Sequence, residues 1–208
     1  MTEVLLTNDD GIDAVGLRAV ADALDPVADV TVVAPAENQS GCSRQYNRQF
    51  SVSETERGWA VAGTPVDCVH FGRDGLDTAF DVVVSGCNDG PNVGAHKLGQ
   101  SGTISAAIEA AFLGIPGVAL SVYDPPTGVR EFERSDYDEA GRLARFLVDR
   151  LADATTPETT LPDGLDYLNC NVPAEADDPP LRVTEPAHDF DVSLHSTEDG
   201  GYRLFDHF

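Results

Sequence analysis

The sequence has almost no lysine and few basic residues of any kind. Among its 208 residues, 36 are Asp or Glu and 13 are Lys or Arg, and Lys97 is the one lysine, so the formal net charge is −23. A surface this acidic repels nucleic acid and anionic membranes. Its negative charges also repel one another, which destabilises the folded chain. Molar salt reduces that repulsion to a range of a few ångströms. We therefore interpret the chain as coming from a halophilic host with molar internal salt, and only secondarily as an ordinary acidic protein.

Cysteine is also scarce, and long apolar runs are absent. The four cysteines, at 42, 68, 87 and 170, include no CxxC pair, and their spacing fits neither a zinc site nor a small disulfide scaffold. No run of about 18 apolar residues could span a membrane, and no signal peptide precedes the first predicted strand. We expect a cytoplasmic protein with reduced thiols that binds neither nucleic acid nor membrane.

Predicted strands and helices alternate along the chain. The strands are predicted at 4–6, 30–34, 49–52, 59–62, 81–85, 117–122, 166–172 and 181–183, and the helices at 15–24, 65–69, 103–113 and 136–151. This alternation, with apolar and β-branched strands, indicates a parallel sheet that is buried on both faces. The sequence thus predicts an α/β fold, a three-layer Rossmann-like and mostly parallel sheet flanked by helices, with a C-terminal β-arm.

We divide the chain into an α/β domain at 1–185 and a C-terminal β-arm segment at 186–208. The stretch 189–208 is polar and weakly patterned, so we expect it to form an arm that needs a partner chain. The Thr- and Pro-rich stretch 153–164 is too short to mark a domain boundary, and we predict a loop there.

Polar loops follow three of the predicted strands, at 8–11, 34–41 and 85–92. Because the carboxyl ends of parallel strands share one edge, where open α/β sheets bind ligands, we expect these loops to meet. Their carboxylate, hydroxyl and amide oxygens suit a hard divalent cation. Such a cation would relieve the repulsion between the adjacent Asp9 and Asp10. For these two residues alone a helix cap and turn is an equal alternative, and Asn88 and Asp89 are equal candidates in the third loop.

The segment Gln100-Ser101-Gly102-Thr103 begins the third predicted helix. Backbone N–H groups at a helix start bind phosphate, and Ser and Thr hydroxyls add donors, although a plain N-cap is the commoner reason for such residues. A cation site beside an anion site is the layout of metal-assisted phosphate ester hydrolysis.

An ordered set of motifs resembles the SurE family, the survival-type metal-dependent 5′/3′-nucleotidases. The motifs are LLTNDDGI at 5–12, VVAPAENQSGCS at 32–43, GTPVDCV at 63–69, VVSGCNDGPNVG at 83–94 and SGTISAAIEAAFLGIPGVALS at 101–121, with LNCNVP at 168–173 as a further signature. They are spread over most of the first 173 residues. Together with the acidity of the chain, they indicate a family member from a halophilic archaeon.

The resemblance implies one divalent metal ion per subunit, Mg²⁺ or Mn²⁺. It also implies that Asn88, and not Asp89, is the metal ligand in the third polar loop. The implied metal ligands are Asp9, Asp10, Ser40 and Asn88, of which Asp9 and Asp10 are also catalytic. The implied phosphate or substrate contacts are Asn8, Gly41, Asn92, Ser101, Gly102 and Thr103. Family members usually continue beyond the position of Phe208, so the arm is expected to be truncated or unusually short.

The implied reaction is hydrolysis of nucleoside 5′- and 3′-monophosphates to nucleoside and phosphate, in a homodimer or homotetramer. Whether water or Asp9 attacks phosphorus stays open at this point. The alternatives are a non-enzymatic nucleotide- or phosphate-binding regulator on the same scaffold and a glycosyltransferase-like use of the aspartate pair.

Overall fold

A seven-stranded sheet forms the centre of the computed structural model, which describes residues 1–124, 131–152, 166–174, 176–188, 191–197 and 199–206. Its strands are β1 (Thr2–Thr7), β2 (Ala28–Pro35), β3 (Val52–Thr55), β4 (Gly58–Val61), β5 (Val82–Asp89), β6 (Gly117–Tyr123) and β7 (Tyr167–Pro173). They lie in the order β3-β4-β2-β1-β5-β6-β7, and every neighbouring pair is parallel except β3 with β4. This confirms the predicted mostly parallel α/β fold.

Helices cover both faces of the sheet. They are α1 (Val15–Leu24), α2 (Pro65–Gly75), the short α3 (Ala95–Leu98), α4 (Gly102–Phe112) and α5 (Asp138–Ala152), which follows a 3₁₀ turn at Arg134–Tyr137. Val4 and Leu6 are buried in one core with α1 and α5, whereas Leu5 is buried in a second core with α2 and α4. Successive side chains of a strand point to opposite faces, so the apolar run of β1 serves both cores. None of the described helices is long and apolar enough to cross a membrane.

Several predicted boundaries differ from the structure. The helix α2 continues past the predicted end at Val69 to Gly75. Phe71 in its last turns packs against the core, whereas Arg73 and Asp74 are exposed and polar. The strand β5 likewise continues past Ser85, and its polar end pairs with β6 after a register shift between Ser85 and Asn88. In contrast, β3 starts at Val52 and not at 49, where Phe50 instead packs against the core that includes α2.

The predicted strand at 181–183 is wrong. Leu181 and Val183 are exposed, and these residues form no strand. Prolines at 179, 180 and 186 flank them and cannot donate to a sheet, so the short apolar alternation has no partner strand. The predicted loop at 153–164 lies outside the described residues.

The end of the chain forms the predicted β-arm. The strands β8 (Val192–Ser196) and β9 (Tyr202–Asp206) pair antiparallel as a two-stranded sheet of their own. Leu194, Tyr202 and Leu204 on this hairpin are exposed. Apolar side chains left in water on a hairpin are typical of a surface that another chain covers.

Candidate metal and phosphate site

The candidate site lies where β1 and β5 run side by side in the middle of the sheet. The chain continues from β1 to β2 on one side, while β5 lies on the other side of β1. Ligands of open α/β sheets bind at such a switch point, in the crevice beyond the carboxyl ends of the strands. The residues at this crevice come from the turn after β1, the end of β5, and residues 36–51, which we call the β2–β3 loop.

Asp10 is the residue at which these segments meet. Its Oδ1 accepts hydrogen bonds from Asn38 Nδ2 at 3.3 Å and from Ser40 Oγ at 3.5 Å. Its Oδ2 accepts a hydrogen bond from the backbone N–H of Asp89 at 3.3 Å. The structure therefore brings together the first carboxylates, the serine of the β2–β3 loop and the end of β5, as expected from their places after parallel strands.

Asp9 is buried at the N-terminus of α4. The Thr103 hydroxyl donates to Asp9 Oδ1 at 2.6 Å, and the backbone N–H groups of Gly102 and Thr103 donate to the same carboxylate. A Cβ at position 102 would lie 2.8 Å from the Asp9 Cβ, so only glycine allows this approach. The helix start predicted to bind phosphate thus holds a carboxylate of the protein itself, which the N–H groups stabilise in the same way.

Neither carboxylate of the pair contacts a basic side chain within the part of the chain that the structure describes. The ion pairs of the described residues include neither Asp9 nor Asp10. Burial raises the pKa of Asp9, although the hydrogen bonds from Thr103 and Gly102 oppose the rise. Burial raises the pKa of Asp10 to about 6, and the charge of Asp9 adds to that rise. A bound cation would favour the ionised form of both groups and so lower both pKa values.

The oxygen atoms at the crevice fit a hard divalent cation. Two carboxylates, the Ser40 hydroxyl and the Asn88 amide are available there, and Asn88 Nδ2 donates to the Gly90 carbonyl at 2.6 Å, which leaves its amide oxygen for a ligand. No cluster of three or more His, Cys, Asp or Glu able to hold a metal occurs in the described part of the chain. Mg²⁺ commonly uses one or two carboxylates and completes its shell with water and substrate oxygens, so this donor set is sufficient.

The predicted phosphate-contact residues differ in their surroundings. Gly41 is exposed with a φ of +76°, and a Cβ there would meet nothing within 4 Å, so its backbone faces open space beside the crevice. The Ser101 hydroxyl accepts a hydrogen bond from the Ile104 N–H at 3.1 Å and acts as the N-cap of α4. Its own proton has no acceptor among the described residues and is available to a ligand.

Two other predicted contact residues use their side chains inside the protein. Asn8 accepts from the Gly11 N–H at 3.2 Å and donates to the Gly11 carbonyl at 3.0 Å, which closes the turn after β1. Asn92 is buried, and its Nδ2 donates to Ser121 Oγ at 2.9 Å. Contacts of Asn8, Asn92 and the α4 residues with a phosphate therefore stay predictions.

The sequence reasoning missed Asn38. Its amide donates to Asp10, while its Oδ1 accepts the Ser40 N–H at 2.8 Å, so it fixes both neighbours. An Asx turn explains this contact, and the spacing Asn-x-Ser within a polar loop is the sequence pattern that could have predicted it. Asn169 and Asn171 in the LNCNVP motif were missed too, and both donate to the Asn92 carbonyl.

Known proteins resemble this chain over most of its length. The family model described as Survival protein SurE matches residues 4–190. A 5′-nucleotidase SurE from Natronomonas pharaonis is 49% identical and covers 99% of this chain and 80% of that protein. Another from Haloarcula marismortui is 45% identical, covering 94% and 73%. Both organisms are halophilic archaea, which supports the habitat inferred from the charge.

A solved structure confirms the fold. The crystal structure of the SurE protein from Aquifex aeolicus matches with a TM-score of 0.76 at 30% sequence identity. The match covers 98% of this chain and 81% of that one. The sheet and its flanking helices are therefore shared with a protein of known structure.

Proposed function

Because the chain belongs to the SurE family, we propose that it is a metal-dependent phosphomonoesterase that hydrolyses nucleoside 5′- and 3′-monophosphates to nucleoside and phosphate. The main structural support is the pair Asp9 and Asp10, two adjacent desolvated carboxylates with no basic partner among the described residues. Such a pair is poorly suited to a turn and well suited to a divalent cation. The same pair gives no reason to prefer a non-enzymatic regulator.

In this proposal Asp9, Asp10, Ser40 and Asn88 hold one Mg²⁺ or Mn²⁺ ion per subunit. When bound, the ion supplies a Lewis acid for a phosphoryl oxygen and lowers the pKa of a water molecule. Thr103 and Gly102 hold the Asp9 carboxylate in a fixed orientation, since three donors surround it.

Asp10 is the carboxylate placed to accept a proton from the attacking water. It is less buried than Asp9, and its hydrogen bonds come from groups at the rim of the crevice. A general base must lie within hydrogen-bond reach of the proton that it removes, and we assign this role to Asp10 because it lies at the rim of the crevice. The Ser101 hydroxyl and the Gly41 backbone N–H are the donors that we assign to the phosphate.

We also propose that the β8–β9 hairpin, the core of the arm segment 186–208, completes a homodimer or homotetramer of α/β domains 1–185. Its exposed Leu194, Tyr202 and Leu204 supply the apolar surface. We place this assembly in the cytoplasm.

The test is phosphate release from 5′-AMP and 3′-AMP in molar KCl, with and without EDTA. We expect EDTA to stop the release and added Mn²⁺ or Mg²⁺ to restore it. Release that persists in EDTA after dialysis would contradict the metal dependence. AMP binding without phosphate release under every metal condition would favour the regulator.

A further inference from the structure

The β2–β3 loop carries Ser40 and Gly41 to the site but contains no helix or strand. Its first half contacts the site directly, since the Gln39 N–H donates to the Asp9 carbonyl oxygen at 2.6 Å and Asn38 bonds to Asp10. Holding an irregular loop in one conformation costs about 1–2 kcal/mol of backbone entropy per residue. Contacts elsewhere in the loop must therefore help to fix it.

Two of these contacts are made by Asp67 on α2. Asp67 is 1% exposed, and it and Asp9 are the two buried carboxylates among the described residues. Its Oδ1 accepts the Asn47 backbone N–H at 2.8 Å, and its Oδ2 accepts Asn47 Nδ2 at 2.7 Å and the Thr64 N–H at 2.8 Å. No basic side chain of the described residues forms an ion pair with it.

A buried carboxylate is tolerated only when its oxygens are well supplied with donors. One of the three donors, the Thr64 N–H, belongs to the capping box of α2 and would be present without the loop. The other two come from Asn47 in the loop. A shift of Asn47 alone would leave the carboxylate short of donors, so the interaction selects one conformation of the second half of the loop.

Further hydrogen bonds hold the segment between Asn47 and Ser40. The Thr64 hydroxyl donates to the Gln45 carbonyl at 2.7 Å, and the Ser43 N–H donates to the Gln100 carbonyl at 3.0 Å. The Cys42 N–H donates to the Gln39 carbonyl at 3.0 Å, which closes the turn that contains Ser40 and Gly41.

We propose that Asp67 is a positioning residue, which acts through Asn47 to hold the β2–β3 loop so that Ser40 and Gly41 face the metal and phosphate site. Asp67 bonds to Asn47 and Thr64 and not to any candidate ligand of the ion. The role rests on the proposed metal-dependent function, because its effect on activity passes through the ligands of the ion.

The first test is Asn47→Ala, which removes the Nδ2 hydrogen bond and leaves the Thr64 cap intact. The matched control is Gln49→Ala, since Gln49 is exposed in the same loop and its side chain has no hydrogen bond in the described structure. In molar KCl, we expect Asn47→Ala to weaken Mn²⁺ binding by about tenfold, as for other residues that orient metal ligands. In the metal-free protein, the amides of residues 43–47 should exchange hydrogen faster than in the control, and the melting temperature should fall because buried Asp67 loses one donor.

The second test exchanges the two side chains. Asp67→Asn places an amide N–H₂ against one of the three donors, so it should weaken Mn²⁺ binding more than Asn47→Ala. Adding Asn47→Asp lets the amide at position 67 donate to the carboxylate at position 47. The double variant should therefore recover part of the Mn²⁺ affinity. A double variant no better than Asp67→Asn, provided both are folded, would contradict the pairing.

The outcomes separate this inference from the proposed function. If Asn47→Ala matches Gln49→Ala in both Mn²⁺ affinity and hydrogen exchange, the positioning role is overturned while a metal-dependent parent keeps the proposed function intact. If the parent binds no Mn²⁺, the proposed function fails. Unchanged hydrogen exchange at residues 43–47 in Asn47→Ala would then also overturn the role of Asp67 in holding the loop. A lowered melting temperature with unchanged Mn²⁺ affinity would show a purely structural role and would also overturn the proposal.

Discussion

The substitution Asp10→Asn separates charge from shape at the candidate metal site, because asparagine has nearly the size of aspartate and no charge. Burial and the charge of Asp9 raise the pKa of Asp10 in the folded protein from 3.8 to about 6. A raised pKa means that the folded state favours the protonated form. The resulting stability is fully present below a pH of about 4 and is lost as the pH rises through about 6. The metal-free parent should therefore lose stability across this interval.

The size of the effect follows from the pKa difference. A rise of about two pKa units corresponds to about 3 kcal/mol of lost stability above pH 6, at about 1.4 kcal/mol per unit. Asparagine avoids that loss but offers one oxygen to the three donors that contact the Asp10 carboxylate. Losing a hydrogen bond at this position costs about 1 kcal/mol. We expect metal-free Asp10→Asn to be about 1–2 kcal/mol more stable than the parent near neutral pH.

The assay is chemical denaturation of both proteins in molar KCl with EDTA, from acidic to neutral pH, followed by Mn²⁺ titration and AMP hydrolysis. The parent should show the pH-dependent loss and a gain in stability with Mn²⁺. The variant should show a smaller loss, since the pKa of Asp9 is still raised by burial, and little or no gain with Mn²⁺. The variant should also lose most activity. Asp29→Asn, at an exposed position on β2, is the control for removing one negative charge. An Asp10→Asn protein that binds Mn²⁺ like the parent, or is less stable than it without metal at neutral pH, would refute the reasoning.

Two further predictions concern Thr103 and salt. Thr103→Val keeps the shape of the side chain but removes the donor to Asp9, so Asp9 should hold its proton to higher pH and Mn²⁺ binding should lose about 1–3 kcal/mol near neutral pH. Calorimetry at several pH values measures this, and an unchanged pH dependence would contradict it. Lowering KCl from molar to dilute should lower the melting temperature, because 36 acidic residues face only 13 basic ones and lose their screening. A melting temperature that does not change with KCl would contradict the halophilic interpretation.

The order of strands and helices was predictable because burial controls it. The apolar run at Val4–Leu6 and the helical spacing at 15–24 are patterns that a two-sided sheet imposes on any sequence. The meeting of the three polar loops follows from parallel strands, whose carboxyl ends share one edge, and it needs no knowledge of side-chain contacts. Asp9, Asp10 and Ser40 were therefore expected to lie together.

The hydrogen bonds of the site were not predictable in the same way. The bond from the Thr103 hydroxyl to Asp9 had no signal in the sequence, because it depends on the close approach of α4 to β1 where Gly102 has no Cβ. The burial of Asp67 depends on the path of the β2–β3 loop, which has no periodic pattern to read. At 181–183, an alternation that resembles a strand was misleading because strand formation needs a partner, and the sequence pattern cannot supply one.

The central place of β1 in the sheet has a consequence for the order of events during folding. The bond between Thr103 and Asp9 spans 94 positions of the chain, and that between Asp89 and Asp10 spans 79. Contacts so distant along the chain form late, because the intervening loop must first lose its entropy. While the chain emerges from the ribosome, the two aspartates are made early, and Asp9 lacks the Thr103 donor until α4 has been synthesised and docked. A bound ion at this place would therefore report that the loop after β2, the end of β5 and the start of α4 have already assembled around β1.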